Sequence, residues 1–352
     1  MRIVIAVDSS RASEAALAAV SHHKWPKNSL IKLIYVVSNS PNVLEKIKGE
    51  VRHPDVESTR AAIEEVTISL SGRMPSTNVS CEILEGDPKA AIVKFARQWK
   101  SDLIVMGCQM KSGIDKLLMG SVSAGVLSKA DCPVLLIKDG SMASHIKHGI
   151  DFTRILVASD GRASSKAAFA WLARQTWPDD VVYKVVSVIP QDRARIENTS
   201  DTQKAAWLLR QWSSMKEKVL TGLRKDAETL GRGLDNEYIS VDVIPGNPKE
   251  KIVDLGKNWR AELIVTGAES KSHLDKIFAG SVSKSIADRA TCSILVVKGL
   301  DKEGERLTDK KKERLKNTES YAGSGAAEMK REEQRNQSAV QDRENDAPFK
   351  MF

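Results

Sequence analysis

Residues 101–138 read SDLIVMGCQMKSGIDKLLMGSVSAGVLSKADCPVLLIK, and this stretch occurs twice in the chain. It returns 160 residues later, at residues 261–298, as AELIVTGAESKSHLDKIFAGSVSKSIADRATCSILVVK. Each copy indicates a short apolar strand, a loop, an amphipathic helix that opens on Gly-Ser-Val-Ser, and a second apolar strand. Unbroken apolar runs are typical of strands that are covered on both faces. The stretch therefore predicts, twice over, strands of a sheet that is buried between helices.

The repeat continues upstream at an offset of 152 residues. An apolar strand at residues 2–7 ends at Asp8, and its second copy at residues 154–159 ends at Asp160. In both copies an alanine-rich helix follows, a Trp-Pro pair closes it, and a further strand comes next. A helix and a third strand lead to Asp87-Pro88 or Asn247-Pro248, where an Asx cap and a first-turn proline favour another helix start.

Each half thus alternates five strands with four helices, which predicts an α/β fold. Two tandem, doubly wound domains are expected, each with a five-stranded parallel sheet of Rossmann-like form. We expect the first domain at residues 1–138, a linker at 139–152, the second domain at 153–298 and a charged tail without stable structure at 299–352. In such sheets ligands bind beyond the carboxyl ends of the strands, where the strand order reverses.

Composition and charge exclude several classes of protein. The 352 residues carry a formal net charge of +8, and the tail is balanced, so the excess is spread over both domains. This bias is weaker than that of a dedicated nucleic-acid binder, and it suits small anionic ligands. The sequence has no run approaching the ~20 apolar residues of a membrane span, and its start does not resemble a signal peptide. Its four cysteines lack metal-ligand spacing. We expect a reduced, cytoplasmic protein that holds no metal through cysteine.

The repeated stretch offers a site for phosphate. A strand ends at Gly107 or Gly267, and a helix then opens on Gly120-Ser121 or its second copy, Gly280-Ser281. Helix N-termini present unpaired N–H groups and a positive dipole, and glycine lets a ligand approach the backbone closely. The plainer alternative is a helix that its serine simply caps. Asp8 and Asp160, at the ends of the first strands, could hold Mg²⁺ through water, or they could be helix N-caps.

This spacing resembles the universal stress protein family. Nucleotide-binding members carry Gly-x2-Gly-x9-Gly-Ser/Thr here, and both copies keep the first glycine, the spacing and the Gly-Ser, with Met110 or Ser270 in place of the middle glycine. The resemblance implies an adenine nucleotide alpha hydrolase-like fold and a pseudo-dimer in which the strands at 134–138 and 294–298 pair edge to edge. It implies phosphate contacts from Gly107, Gly120, Ser121, Val122 and Ser123, and from Gly267, Ser270, Gly280, Ser281, Val282 and Ser283. It further places Asp8 and Asp160 near the nucleotide and gives Val36 and Val188 backbone contacts to the base.

The resulting hypothesis is a tandem universal stress protein that binds ATP, or another adenine nucleotide, and acts as a stress-response sensor or regulator. Serine is small and can donate a hydrogen bond, whereas methionine is bulky, so the second domain is expected to bind more tightly than the first. The sequence holds no Walker A, GxGxxG, GxSxG or HExxH motif, and any ATP turnover is expected to be slow.

Two other hypotheses stay open. One is a scaffold that has lost nucleotide binding and docks a protein partner through the helix bearing Trp207 and Trp212 and through the charged tail. That helix could equally serve only to cover the sheet. The other is an ATP-dependent enzyme of the wider hydrolase-like group, for which the sequence offers no catalytic signature. Whether two chains associate further as a homo-oligomer also stays open.

Overall fold

The computed structural model describes residues 1–38, 56–108, 119–138, 152–190, 202–231, 237–268 and 281–298. The predicted linker and tail, apart from Phe152, lie outside these ranges. The strands are β1 (Arg2–Val7), β2 (Ser29–Val37), β3 (Thr77–Glu85), β4 (Leu103–Cys108), β5 (Val134–Lys138), β6 (Arg154–Ala158), β7 (Val182–Ile189), β8 (Ile239–Pro245), β9 (Leu263–Ala268) and β10 (Ser293–Lys298). The helices are α1 (Arg11–His22), α2 (Val56–Arg73), α3 (Pro88–Gln98), α4 (Ser121–Lys129), α5 (Ala163–Leu172), α6 (Thr202–Ala227), α7 (Pro248–Asn258) and α8 (Ser281–Arg289).

The ten strands form one sheet in the order β3-β2-β1-β4-β5-β10-β9-β6-β7-β8. Every neighbouring pair is parallel except β5 and β10 at the centre, which run antiparallel with Leu135 opposite Leu295. The sheet therefore consists of two five-stranded parallel halves joined edge to edge. This arrangement confirms the two tandem doubly wound domains and the predicted pseudo-dimer.

Side chains alternate between the two faces of the sheet, as the period of a strand requires. Ile3 and Ile5 pack into one hydrophobic cluster with α1, α2, α5 and α6, and Val4 and Ala6 pack into another with α3, α4, α7 and α8. Both clusters contain buried residues of both domains. Helices thus cover both faces, which explains why the central strands read as unbroken apolar runs.

The predicted helix boundaries rest on identifiable hydrogen bonds. The side chain of Asp87 accepts from the Ala90 N–H at 2.9 Å, and that of Asn247 accepts from the Lys249 N–H at 3.1 Å. These two bonds confirm the predicted Asx caps. The Trp-Pro pairs do more than stop their helices, because the indole N–H of Trp25 donates to the Val20 carbonyl at 2.8 Å. Trp177 repeats this bond in the second domain, to the Leu172 carbonyl at 2.9 Å.

Two further observations concern the reactivity of the buried cysteines and the length and polarity of the helices. Cys132 and Cys292 are free, and burial raises the pKa of each thiol to about 12, so neither is a reactive thiolate at neutral pH. Among the described helices, none is long and apolar enough to cross a membrane.

Candidate functional site

The candidate site of each domain lies where the strand order reverses. In the first domain β1 pairs with β2 on one side and with β4 on the other, so the carboxyl ends of β1 and β4 adjoin. In the second domain β6 and β9 stand in the same relation. Helices leave these neighbouring strands toward opposite faces, which opens a crevice between them. The first rim comprises Asp8, Val36, Gly107 and residues 120–123, and the described part of the second rim comprises Asp160, Val188, Gly267 and residues 281–283.

Each aspartate is held in the same way at its strand end. The Asp8 carboxylate accepts from the Ser13 hydroxyl at 2.6 Å and from the Ser10 N–H at 3.0 Å. Asp160 accepts from the Ser165 hydroxyl at 2.6 Å and from the Arg162 N–H at 3.1 Å. In both cases Oδ1 takes these bonds, and both aspartates are exposed. The Asp160 Oδ2 also lies 3.6 Å from the Arg162 Nε, an ion pair within the same turn. The carboxylates are fixed in place yet remain accessible.

The helix-cap interpretation of these aspartates is wrong. The N-cap residue of α1 is Ser10, whose side chain accepts from the Ser13 N–H, and the N-cap residue of α5 is Arg162. Partial burial opposes ionisation of Asp8, but the hydrogen bonds from Ser10 and Ser13 outweigh it, and the pKa of Asp8 lies below its usual value. Asp8 is therefore a negative charge at neutral pH, suited to a hydrated cation or to a hydroxyl donor.

Gly107 and Gly267 are required by packing. A Cβ at Gly107 would overlap the backbone of Ala12 in α1, and a Cβ at Gly267 would overlap the backbone of Ser164 in α5. The carbonyl of Gly107 accepts from the Ser123 hydroxyl at 3.3 Å, and that of Gly267 accepts from the Ser283 hydroxyl at 2.9 Å. Ser123 and Ser283 are buried, and these bonds tie the first turn of α4 and α8 to the end of the neighbouring strand.

Helix α4 begins without a side-chain cap. Its N-cap residue is Gly120, with φ −58° and ψ 152°, and no side-chain hydrogen bond closes the first turn there. The alternative of a plain serine-capped helix is therefore wrong for this domain. Ser121 is exposed and Val122 half-buried, and Ser281 and Val282 have the same exposure in the second domain. An uncapped first turn at a glycine leaves room for an anion to take the place of the cap.

Val36 and Val188 present backbone rather than side chain to the crevice. The Val37 carbonyl accepts from the Gly86 N–H on the β3 side, so the polar groups of Val36 face the β1 side, because successive residues of a strand alternate. The pairing between β1 and β2 reaches only to Tyr35, so β1 has ended at this level. Ile189 and Gly246 repeat the bond in the second domain, which turns the polar groups of Val188 toward the β6 side.

Three positions of the sequence prediction are not among the described residues: Met110, Ser270 and Gly280. Nothing about the replaced middle glycine is therefore read from the geometry. In the described part of the chain, no group of three or more His, Cys, Asp or Glu side chains could hold a metal ion directly.

Sequence reasoning missed Ser13 and Ser165, the residues that hold the aspartates. The signal was present, because both copies place a serine five residues after the aspartate, at the same 152-residue offset. In each copy that serine also accepts a hydrogen bond from the aspartate's own N–H, at 2.9 Å in the first domain and 3.2 Å in the second. The pattern Asp-x4-Ser thus describes a small closed turn in both domains.

Comparison with known proteins identifies the family. The sequence model of the universal stress protein family matches residues 1–138 and again residues 151–298. This chain belongs to the universal stress protein family. Its relatives include universal stress protein Rv2623 of Mycobacterium tuberculosis, 25% identical over 315 residues, which span 84% of this chain and 96% of that one. Universal stress protein MJ0531 of Methanocaldococcus jannaschii is 36% identical over 141 residues, 39% of this chain and 81% of that one.

A solved structure shares the whole tandem fold. The crystal structure of a universal stress protein from Archaeoglobus fulgidus superposes with a TM-score of 0.54 at 20% identity, covering 85% of this chain and 98% of that chain. Both tandem domains of this chain therefore adopt the fold of the universal stress protein family.

Proposed function

We propose that this universal stress protein binds an adenine nucleotide, ATP with Mg²⁺, at its rims and acts as a stress-response sensor or regulator. One observation carries the proposal. Three features border one crevice at the strand-order reversal: the uncapped, glycine-initiated start of α4, the exposed and ionised Asp8, and the Val36 backbone groups that face the β1 side. The family resemblance of the Gly-Ser motif supports the same assignment.

Each rim element matches a different part of such a ligand. The N–H groups of Ser121 and Val122 suit phosphate oxygens, since a helix start offers donors and positive dipole together. The polar backbone groups of Val36 suit the hydrogen-bonding edge of a base. Asp8 suits a hydrated Mg²⁺ that bridges to phosphate, because Mg²⁺ keeps several of its waters when bound to protein. Asp160, Val188 and Ser281 supply the same groups in the second domain.

We further propose that the second domain binds more tightly. Ser270 replaces the middle glycine of the motif with a small side chain that can donate to an oxyanion, whereas Met110 introduces a bulky one. If the backbone there must approach phosphate closely, methionine costs more than serine.

The test is calorimetric titration of Mg-ATP into the full chain and two rim variants. Gly280→Ala with Ser281→Ala alters the second rim, and Gly120→Ala with Ser121→Ala is the matched change in the first. Gly120 has an ordinary φ of −58° and open space where a Cβ would stand, so its replacement tests the ligand and not the fold. We expect one site per chain, lost in the second-rim variant and kept in the first-rim variant. Two sites would overturn the asymmetry, and no binding up to millimolar ATP would overturn the nucleotide proposal.

A specific observation favours one alternative, a scaffold that docks a partner through α6. Trp207 is 57% exposed, Leu209 47% and Met215 43%, while the residues of α6 that are fully buried, Leu223 and Ala227, lie near its end. Trp212, by contrast, packs against the core and belongs to the cover of the sheet. The titration separates the two functions, because the scaffold needs no nucleotide.

A further inference from the structure

Two lysines lie in the core where the domains meet. Lys138 ends β5 and is 1% exposed, and Lys298 ends β10 and is 2% exposed. A buried ammonium is costly unless it is hydrogen-bonded, so each must have a partner. The Lys138 Nζ donates to the Ala287 carbonyl at 2.8 Å, and the Lys298 Nζ donates to the Leu127 carbonyl at 2.7 Å. Each lysine thus reaches out of its own domain into the other.

The acceptors are at the carboxyl ends of the rim helices. Ala287 lies in the last turn of α8, and Leu127 lies in the last turn of α4. The last four carbonyls of a helix have no partner within the helix, and the negative end of the dipole attracts a cation. Each lysine therefore caps the carboxyl end of a helix that belongs to the other domain. The two lysines are 160 residues apart, and so are their two acceptors, so the contacts are equivalent in the two copies of the repeat.

The opposite ends of these helices form the rims. The Ser123 hydroxyl ties the first turn of α4 to Gly107, and the Ser283 hydroxyl ties the first turn of α8 to Gly267. A nine-residue helix is a stiff rod of about 13 Å, so its direction depends on how both ends are held. One end is held by its own domain and the other by the lysine of the partner domain.

We propose that Lys138 and Lys298 are positioning residues for the nucleotide site of the opposite domain, Lys138 through α8 and Lys298 through α4. The proposal rests on the function proposed above. Each site then depends on the pairing of the domains, because a lysine on the other side of the β5–β10 seam orients the helix whose first-turn N–H groups face the ligand.

The protonation state of Lys298 suits this role. Burial lowers its pKa to about 8, while Cys132 and Asp131 nearby act in the opposite direction. At pH 7 the ammonium form therefore predominates and can donate to the Leu127 carbonyl.

The test compares Lys138→Met with Lys298→Met in the full chain. The two changes remove equivalent bonds from equivalent positions, so each is the structural control for the other. Mg-ATP binding is measured by calorimetry, the domain that holds the nucleotide being known from the rim variants described above. For a nucleotide held by the second domain, we expect Lys138→Met to weaken binding about tenfold, as for groups that orient a ligand-binding residue, and Lys298→Met to leave it unchanged. For a nucleotide held by the first domain the roles exchange.

The outcomes separate this inference from the proposed function. If the wild-type chain does not bind Mg-ATP, both the proposed function and the cross-domain positioning are overturned. If the wild type binds and the two lysine variants bind equally, at either the wild-type or a weakened level, the cross-domain positioning is wrong and nucleotide binding stands. If only the lysine variant in the domain opposite the nucleotide weakens Mg-ATP binding, the inference is supported. A general loss of stability would instead weaken binding in both equivalent variants.

Discussion

His23 follows α1 and touches tryptophans of both domains, with ring centroids 4.4 Å from Trp25 and 5.1 Å from Trp177. Its Nε2 is buried and has no hydrogen-bond partner among the described residues. Burial lowers the pKa of His23 to about 4, so the ring is neutral in the folded protein at neutral pH. The residue at the same place in the second copy is Gln175, which does not titrate.

His23 should therefore make the chain acid-sensitive. Its folded pKa of about 4 lies below its ordinary value of 6.5, so its contribution to stability is complete above pH 6.5 and is lost as the pH falls toward 4. With 1.36 kcal/mol for each pKa unit, the loss is about 3 kcal/mol. We expect His23→Gln, which introduces the residue of the second copy, to remove this loss, as measured by urea unfolding from pH 7 to pH 4. An unchanged slope of unfolding free energy against pH would contradict the assignment.

At the scale of elements, the contact between β4 and α1 fixes the first rim. Gly107 lets α1 lie directly on the strand, and the same glycine offers its carbonyl to Ser123 of α4. Gly107 thus sets how closely both α1 and α4 approach β4. Gly120, at the start of α4, has open space around it and carries no such constraint.

These two glycines should respond differently to the same substitution. Gly107→Ala forces a methyl group against the Ala12 backbone and should cost about 1–3 kcal/mol, the usual range for overpacking. Gly120→Ala should change stability by less than about 0.5 kcal/mol, as expected of a surface substitution. Equilibrium unfolding in urea measures both. Equal stability of the two variants would show that α1 does not rest on Gly107 as described.

The sequence predicted these elements well and their mutual contacts poorly. The repeat marked every strand and most helix starts, since strand periodicity, Asx caps and prolines act locally. It did not reveal that Lys138 and Lys298 are buried, because a lysine ending a strand ordinarily faces water and its acceptor belongs to the other domain. The indole caps of Trp25 and Trp177 were missed for a related reason: tryptophan before proline indicates a helix end without indicating where its N–H points. Helix α6 ends at Ala227, and a 3₁₀ turn at Glu228–Leu230 follows.

At the scale of the molecule, the two domains share their cores. Each hydrophobic cluster runs through both halves of the sheet, and β5 and β10 are buried along their whole length. Such continuity predicts that the described fold unfolds as one cooperative unit.

Ile92 and Ile252, equivalent residues on α3 and α7, test this cooperativity. Either residue changed to alanine removes buried apolar volume and should cost about 2–5 kcal/mol. We expect each variant to lower the midpoint of one and the same calorimetric transition. Two separate transitions, each shifted by only one of the variants, would mean that the halves unfold independently.

The antiparallel seam between β5 and β10 also governs how two such domains can be joined into one chain. Because the two halves run in opposite directions, the carboxyl end of β5 and the amino end of β6 lie on the same side of the sheet, the side where β5 ends. The two strands are three positions apart, about 14 Å at ordinary strand spacing. Residues 139–153 could span roughly 50 Å if fully extended, so gene fusion needs no crossing of the sheet. Covalent connection makes the pairing unimolecular, and the effective concentration of one half for the other then no longer falls on dilution. A dissociable dimer would lose its seam at low abundance, whereas this chain keeps it when only a few copies are present in a cell.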